Sequence, residues 1–119
     1  MSQVNDPAAL ETPTELRLLL SSCPAASADR LARVLVQARV CACVSVLPQM
    51  VSRYHWDGVV QRDDESLLLC KTPADRVEAA AALLAAEHPY TVPEILVLPI
   101  AAAAAPYAAW AVAETRVAR

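Results

Sequence analysis

The spacing of apolar positions changes several times along this chain, and each change marks an element. From Glu15 to Cys23 the run Leu16, Leu18, Leu19, Leu20 is nearly continuous in apolar residues and stops at Pro24, which predicts a strand buried on both faces. Beyond Ser27, a suitable N-cap, Leu31, Val34, Leu35 and Ala38 recur at helical spacing, with Arg30, Arg33, Gln37 and Arg39 on the other side. Cys41 to Trp56 is rich in Val and aromatic residues and runs into Asp57-Gly58, then Val59-Val60, a strong hairpin signal. A two-residue loop sets Trp56 opposite Val59, pairs Ser45 with Cys70 and Cys43 with Thr72, and leaves room for a bulge near Pro48 to shift that register. Each arm then extends for about 14 residues, where about five or six is usual. Such arms overhang a small sheet and expose edges that need cover.

Thr72-Pro73-Ala74-Asp75 reads as an N-cap, a first-turn proline and an acidic third position, opening a second helix through Val77, Ala80, Ala81 and Leu84 that ends near His88-Pro89. Val92 to Ile100 reads as a fourth strand, and a last helix opens at Pro106 with Trp110 and Val117 available for packing. Residues 1–14 carry Pro7 and Pro13 among polar residues with no period, and read as a flexible tail before one domain over 15–119. The order β-α-β-β-α-β with a terminal helix predicts an α+β, ferredoxin-like sandwich: a four-stranded antiparallel sheet with two helices on one face.

Composition adds a partner to this picture. With 56% hydrophobic residues, no Phe, one Gly and much alanine in 119 residues, the chain is apolar yet short of bulky side chains for a monomeric core. The net charge of -3 gives no general attraction to nucleic acid or anionic lipid. Ile95 to Ala113 is uncharged, but Pro99 and Pro106 interrupt it and much of it is alanine, so strand then helix is expected there and no membrane span. Cys23, Cys41, Cys43 and Cys70 form no C-x-x-C pair and no secretory pattern precedes them, so free thiols in a cytoplasmic protein are expected.

Several blocks carry a resemblance. Arg39-Val40-Cys41-Ala42-Cys43-Val44-Ser45-Val46-Leu47-Pro48 resembles the R-L-A-A-C-V-N-I-x-P stretch of the CutA divalent-cation-tolerance proteins. In the same order, Tyr54-His55-Trp56-Asp57-Gly58 resembles Y-x-W-x-G, Leu68-Leu69-Cys70-Lys71-Thr72 the L-x-x-K-T block, His88-Pro89-Tyr90-Thr91-Val92-Pro93-Glu94-Ile95 the H-P-Y-x-x-P-E-I/L block, and Tyr107-Ala108-Ala109-Trp110 the Y-L-x-W ending. The resemblance implies a tight homotrimer, similar in architecture to the PII signalling proteins, linked to tolerance of copper and other divalent ions. Cys41 stands where alanine is usual, Ser45 where asparagine is common, and Ala101 to Ala105 replaces a glycine-bearing loop, which reads as helical here. Some relatives have a metal-associated cysteine at the end of the first strand, approximately matched by Cys23, and a histidine matched by His88; where some have a second histidine this chain has Glu87.

The candidate chemistry falls into three groups. In the expected topology the fourth strand runs antiparallel beside the first, so Cys23, His88 and Glu94 are expected near one another as a metal set for copper or another divalent ion, with packing and capping as their alternative roles. Cys41, Cys43 and Cys70 have the parity to share a hairpin face; a cuprous thiolate cluster competes there with the favoured reading, small buried hydrophobes. Arg53, Tyr54 and Trp56 near the hairpin tip, with Lys71 on the other arm, suggest an inter-subunit cleft for a small anionic ligand, against plain interface packing. No nucleophile triad or glycine-rich phosphate loop is present, Asp63-Asp64-Glu65 reads as a solvated bend, and no enzymatic activity or organic cofactor is expected. Two functions follow: a homotrimer that binds divalent or cuprous ions for metal tolerance, or a PII-like signalling or scaffold trimer with a small anionic ligand or a protein partner at the subunit cleft.

Overall fold

The two-residue turn at Asp57-Gly58 is formed as the sequence predicts: both residues have positive φ, 53° and 76°, the turn that matches the twist of antiparallel strands. The structure is a computed structural model and describes residues 6–116. A Cβ on Gly58 would meet nothing within 4 Å, so glycine serves there for its backbone freedom and not for space.

In chain order the elements are β1 (Leu10–Glu11), β2 (Leu16–Cys23), α1 (Ala25–Gln37), β3 (Cys43–Trp56), β4 (Val59–Pro73), a short 3-10 turn (Ala74–Arg76), α2 (Val77–Glu87), β5 (Leu96–Pro99), β6 (Ala103–Ala104) and α3 (Ala105–Glu114). The main sheet has the order β3-β4-β2-β5, all antiparallel, which is the ferredoxin-like arrangement. Arms of 14 and 15 residues stretch the molecule to 59 Å along its longest axis, against 31 and 21 Å across it.

Strand pleat sorts the side chains. Leu19 and Cys23 of β2 share a face with Leu68 and Cys70 of β4, and this face packs on Leu31 and Leu35 of α1 and Leu84 of α2 as the main core. The other face carries Leu18 and Leu20 of β2 with Leu67 and Leu69 of β4, all only half-buried, and exposed Leu96 at its β5 edge. The terminal helix covers one end of that face, where Leu16 and Ala42 pack on Ala108 and Ala111.

Several local expectations are corrected. From the tip to Met50↔Glu65 the hairpin keeps the predicted register, but a bulge at Pro48-Gln49 shifts the rest, so Ser45 faces Leu69 and Cys43 faces Lys71. Helix α1 opens after Pro24 and not at Ser27. Thr72 caps no helix; its hydroxyl donates to the Val40 carbonyl at 2.6 Å, and the chain makes a 3-10 turn before α2. The fourth strand of the domain, β5, starts four residues late, because Pro93 has no N–H to give the ladder and pairing with β2 begins at Leu96↔Leu20. Within the stretch read as a tail, β1 pairs with β6 and the Ala105 amide donates to the Ala9 carbonyl at 2.7 Å; the alanine run forms β6 and the start of α3 instead of an all-helical segment. Val117, expected to pack, lies outside the described residues.

Helix α1 ends with Arg39 at φ 60°; its amide bonds the Val36 carbonyl and the Val40 amide that of Leu35, a Schellman closure with arginine in the usual glycine place. Gln49 in the bulge sits at φ 63° with its side chain exposed. Because a residue with a Cβ is strained in that region, Gln49→Gly is expected to raise the unfolding free energy by about 0.5–1 kcal/mol, read in a denaturant titration. A loss of stability would show that the bulge is held by the glutamine itself. The four cysteines are all free, three of them buried. A thiol assay should count four groups in denaturant and no more than one fast group, Cys43, in the native protein.

Candidate functional site

The end of α2 sets the first group of residues in place. Pro89 stops the helix, and Arg30 of α1 holds its last turn by donating to Glu87 Oε1 at 3.0 Å and to the Glu87 carbonyl at 2.9 Å. His88 follows as an extended C-cap, 8% exposed. Its Nε2 lies 2.8 Å from the Ser22 carbonyl and its Nδ1 3.1 Å from the Tyr90 amide nitrogen. A carbonyl only accepts and an amide N–H only donates, so the imidazole carries its proton on Nε2 and is neutral, with both nitrogens used. The ring packs on Tyr90, centroids 4.8 Å apart.

Cys23, His88 and Glu94 are therefore not brought together as a metal centre. Cys23 belongs to the helix-side face of β2 and is fully buried in the main core. Burial first, then the charges of Glu65 and Cys70, push its thiol above the ordinary range. Glu94 is exposed just before β5. Extending the β2–β5 register places it opposite Ser22, on the face away from Cys23. Among the described residues no three His, Cys, Asp or Glu side chains gather as a metal site. A buried raised thiol and an imidazole without a free nitrogen do not fit a bound divalent ion.

The three hairpin cysteines divide between the two faces. Cys41 precedes β3 and lies with Cys70 in the core. The hydrogen bond between them, then burial, pushes the Cys41 thiol up, while the same bond lowers Cys70 against its burial. The bulge puts Cys43 on the opposite face, where Lys71 Nζ lies 3.8 Å from its sulfur and donates to Ser45 Oγ at 2.6 Å. A three-thiol cluster is absent, and Cys41 and Cys70 act as small core residues.

The residues that do converge lie where the distal hairpin passes the loop between α2 and β5. A cleft of about 850 Å³ opens there, lined by Arg53, Tyr54 and Trp56 from the hairpin and by Tyr90 and Glu94 from the loop. Ser22 and Glu65 also line it. Glu65, expected in a solvated bend, is 5% exposed and accepts the Tyr90 hydroxyl at 2.6 Å. Burial, then that bond, raises the Tyr90 phenol above its ordinary range. The Tyr54 hydroxyl donates to Asp63. Lys71, expected in this cleft, is not among the lining residues; it stays with Ser45 and Cys43 on the sheet face. Tyr90 and Glu65 were missed as site residues, though the two-residue alternation of Glu65 with Leu67 and Leu69 places it on their face.

A family model described as the CutA1 divalent ion tolerance protein matches residues 17–114. The divalent-cation tolerance protein CutA of Thermus thermophilus is 43% identical over 70% of this chain and 81% of that protein. The human Protein CutA is 33% identical over 92% of this chain. The chain spans only 47% of the mouse relative's length and 62% of the human one's. Among solved structures, CutA from Synechococcus elongatus superposes with a TM-score of 0.89 at 34% identity, over 94% of this chain and all of that one. A second structure of it, complexed with a Bis-Tris molecule, gives 0.81 at 34% identity, covering 89% of this chain and 99% of that one. A Nostoc protein described as a PII-like CutA in apo form gives 0.80 at 28% identity, covering 86% and 99%. With the family model spanning residues 17–114 and its fold shared over 94% of its length with a solved CutA structure, the chain belongs to the CutA1 divalent ion tolerance family.

Proposed function

We propose that this chain works as a homotrimer that binds a small molecule in the cleft between the distal hairpin and the 89–94 loop, and in this way serves divalent-cation tolerance. The observation that carries the reading is the convergence of three aromatic side chains and a buried carboxylate on one open cleft. The description of a cyanobacterial relative as a Bis-Tris complex supports small-molecule binding within this family. The free thiols support a role in the cytoplasm.

The trimer is supported by the leucine face that α3 covers only at one end and by a hairpin that projects beyond its own sheet with Leu47 and Val51 at least half exposed. Sedimentation is expected to give three times the 12.7 kDa chain mass. Leu96→Arg, at the 50% exposed edge of that face, is expected to dissociate the assembly without unfolding the protomer. A monomeric wild type at micromolar concentration overturns the trimer.

Direct binding of a divalent ion through Cys23, His88 and Glu94 makes a different forecast. If His88 is structural, His88→Ala leaves the Ser22 carbonyl unpaired, lowers stability by about 1–3 kcal/mol and changes copper affinity by less than twofold. A tenfold loss of copper affinity in a variant that still folds would restore the metal reading.

A further inference from the structure

The fixed charges of the cleft are the reverse of those the sequence suggested. An anionic ligand was expected from Arg53 and Lys71 together. Lys71 is engaged elsewhere, and two carboxylates line the cleft with a single arginine. The charges also differ in depth. Glu65 is 5% exposed in the wall, whereas Arg53 is exposed on the hairpin arm. A charge screened from water acts more strongly on a ligand beside it than one in solvent, so the deep end of the cleft is governed by Glu65. One oxygen of that carboxylate takes the Tyr90 hydroxyl, and among the described residues no hydrogen bond is made to the other. Beside it stand Tyr90, Tyr54 and Trp56, the last two 40% and 57% exposed. Aromatic rings grouped with a largely buried carboxylate are the surroundings an organic cation seeks, because ring faces attract positive charge and the carboxylate neutralises it.

Resting on the cleft reading above, we propose that the ligand is an organic ammonium compound, held by Glu65 and Glu94 and packed against Trp56, Tyr54 and Tyr90. Hydroxyl-bearing arms suit Ser22 and Ser52, which also line the cleft. Arg53, exposed on the hairpin arm, confers no affinity for the cationic centre.

The test uses the full chain, with choline as the ammonium probe, its uncharged isostere 3,3-dimethylbutan-1-ol, and inorganic phosphate. Binding is followed by calorimetry and by the Trp56 indole signal in NMR. Choline is expected to shift Trp56 and to bind at least tenfold more tightly than the isostere. Glu65→Gln and the solvent-exposed Glu94→Gln are each expected to weaken choline about tenfold, while Arg53→Ala leaves it unchanged or tighter. Glu94 is exposed, so its substitution tests the proposal even where Glu65→Gln disturbs the fold. Equal binding of choline and the isostere overturns the cationic class. Phosphate binding that shifts Trp56 and is lost in Arg53→Ala overturns it too, while leaving the cleft as a ligand site. Choline binding only at tens of millimolar, indifferent to Glu94→Gln, marks an adventitious additive only and overturns the proposal. If none of the probes shifts Trp56 while a screen of other small molecules does, the class is wrong and the cleft stands; if nothing shifts it, both readings fall.

Discussion

A four-stranded sheet with both domain helices on one face has a second face that must be covered by something. Here that face is built of leucines, Leu18 and Leu20 from β2, Leu67 and Leu69 from β4 and Leu96 from β5, and α3 reaches only the end near Leu16. At roughly 25 cal/mol per Å² of apolar area, leaving such a surface wet gives up much of what a small domain can gain from burial. The long hairpin belongs to the same constraint. Its arms run past the last β2 partner, so the distal half has a strand neighbour on one side only. An apolar chain poor in bulky side chains supports the proposal that part of its core lies between subunits.

The fold was legible in the sequence because its signals are local and agree with one another. Asp57-Gly58 sets the hairpin, Pro24 and Pro89 stop elements, and the apolar spacing distinguishes strand from helix. The chemistry was less legible, because it depends on parity. One bulge at Pro48-Gln49 is enough to move Cys43 from the face of Cys70 to that of Lys71. The same pleat separates Cys23 from Glu94, although topology brings their strand ends together. Sequence reasoning found the right neighbourhood in each case and the wrong face.

His88 shows why a histidine in a metal-associated family need not be a ligand. The imidazole replaces backbone partners at a place where neither helix nor sheet supplies them: it donates to Ser22 at the end of β2 and accepts from Tyr90 in the loop. This joins the loop to the sheet in two bonds. Tyr90 is then placed to reach Glu65 on β4, so one buried ring aligns β2, the 89–94 loop and β4 around the cleft. Imidazole suits this task because each nitrogen plays a single, opposite role in the neutral tautomer, and protonation would put a second donor against an amide N–H.

That chain of contacts also explains how an acidic residue comes to govern a site predicted to be basic. Glu65 is the last β4 residue before the bulge, paired with Met50 on the far side of it. Past the bulge the strand pair is free of β2, since the β2–β4 ladder ends at Cys23↔Ser66. Glu65 thus stands where the sheet stops covering its own face, close enough to the loop to be buried by Tyr90 and open enough to line a cleft. Lys71, six residues further along β4, lies well inside the four-stranded part, where Ser45 and Cys43 occupy its ammonium. The step in hairpin register divides one strand into two electrostatic regions, and the cleft belongs to the acidic one.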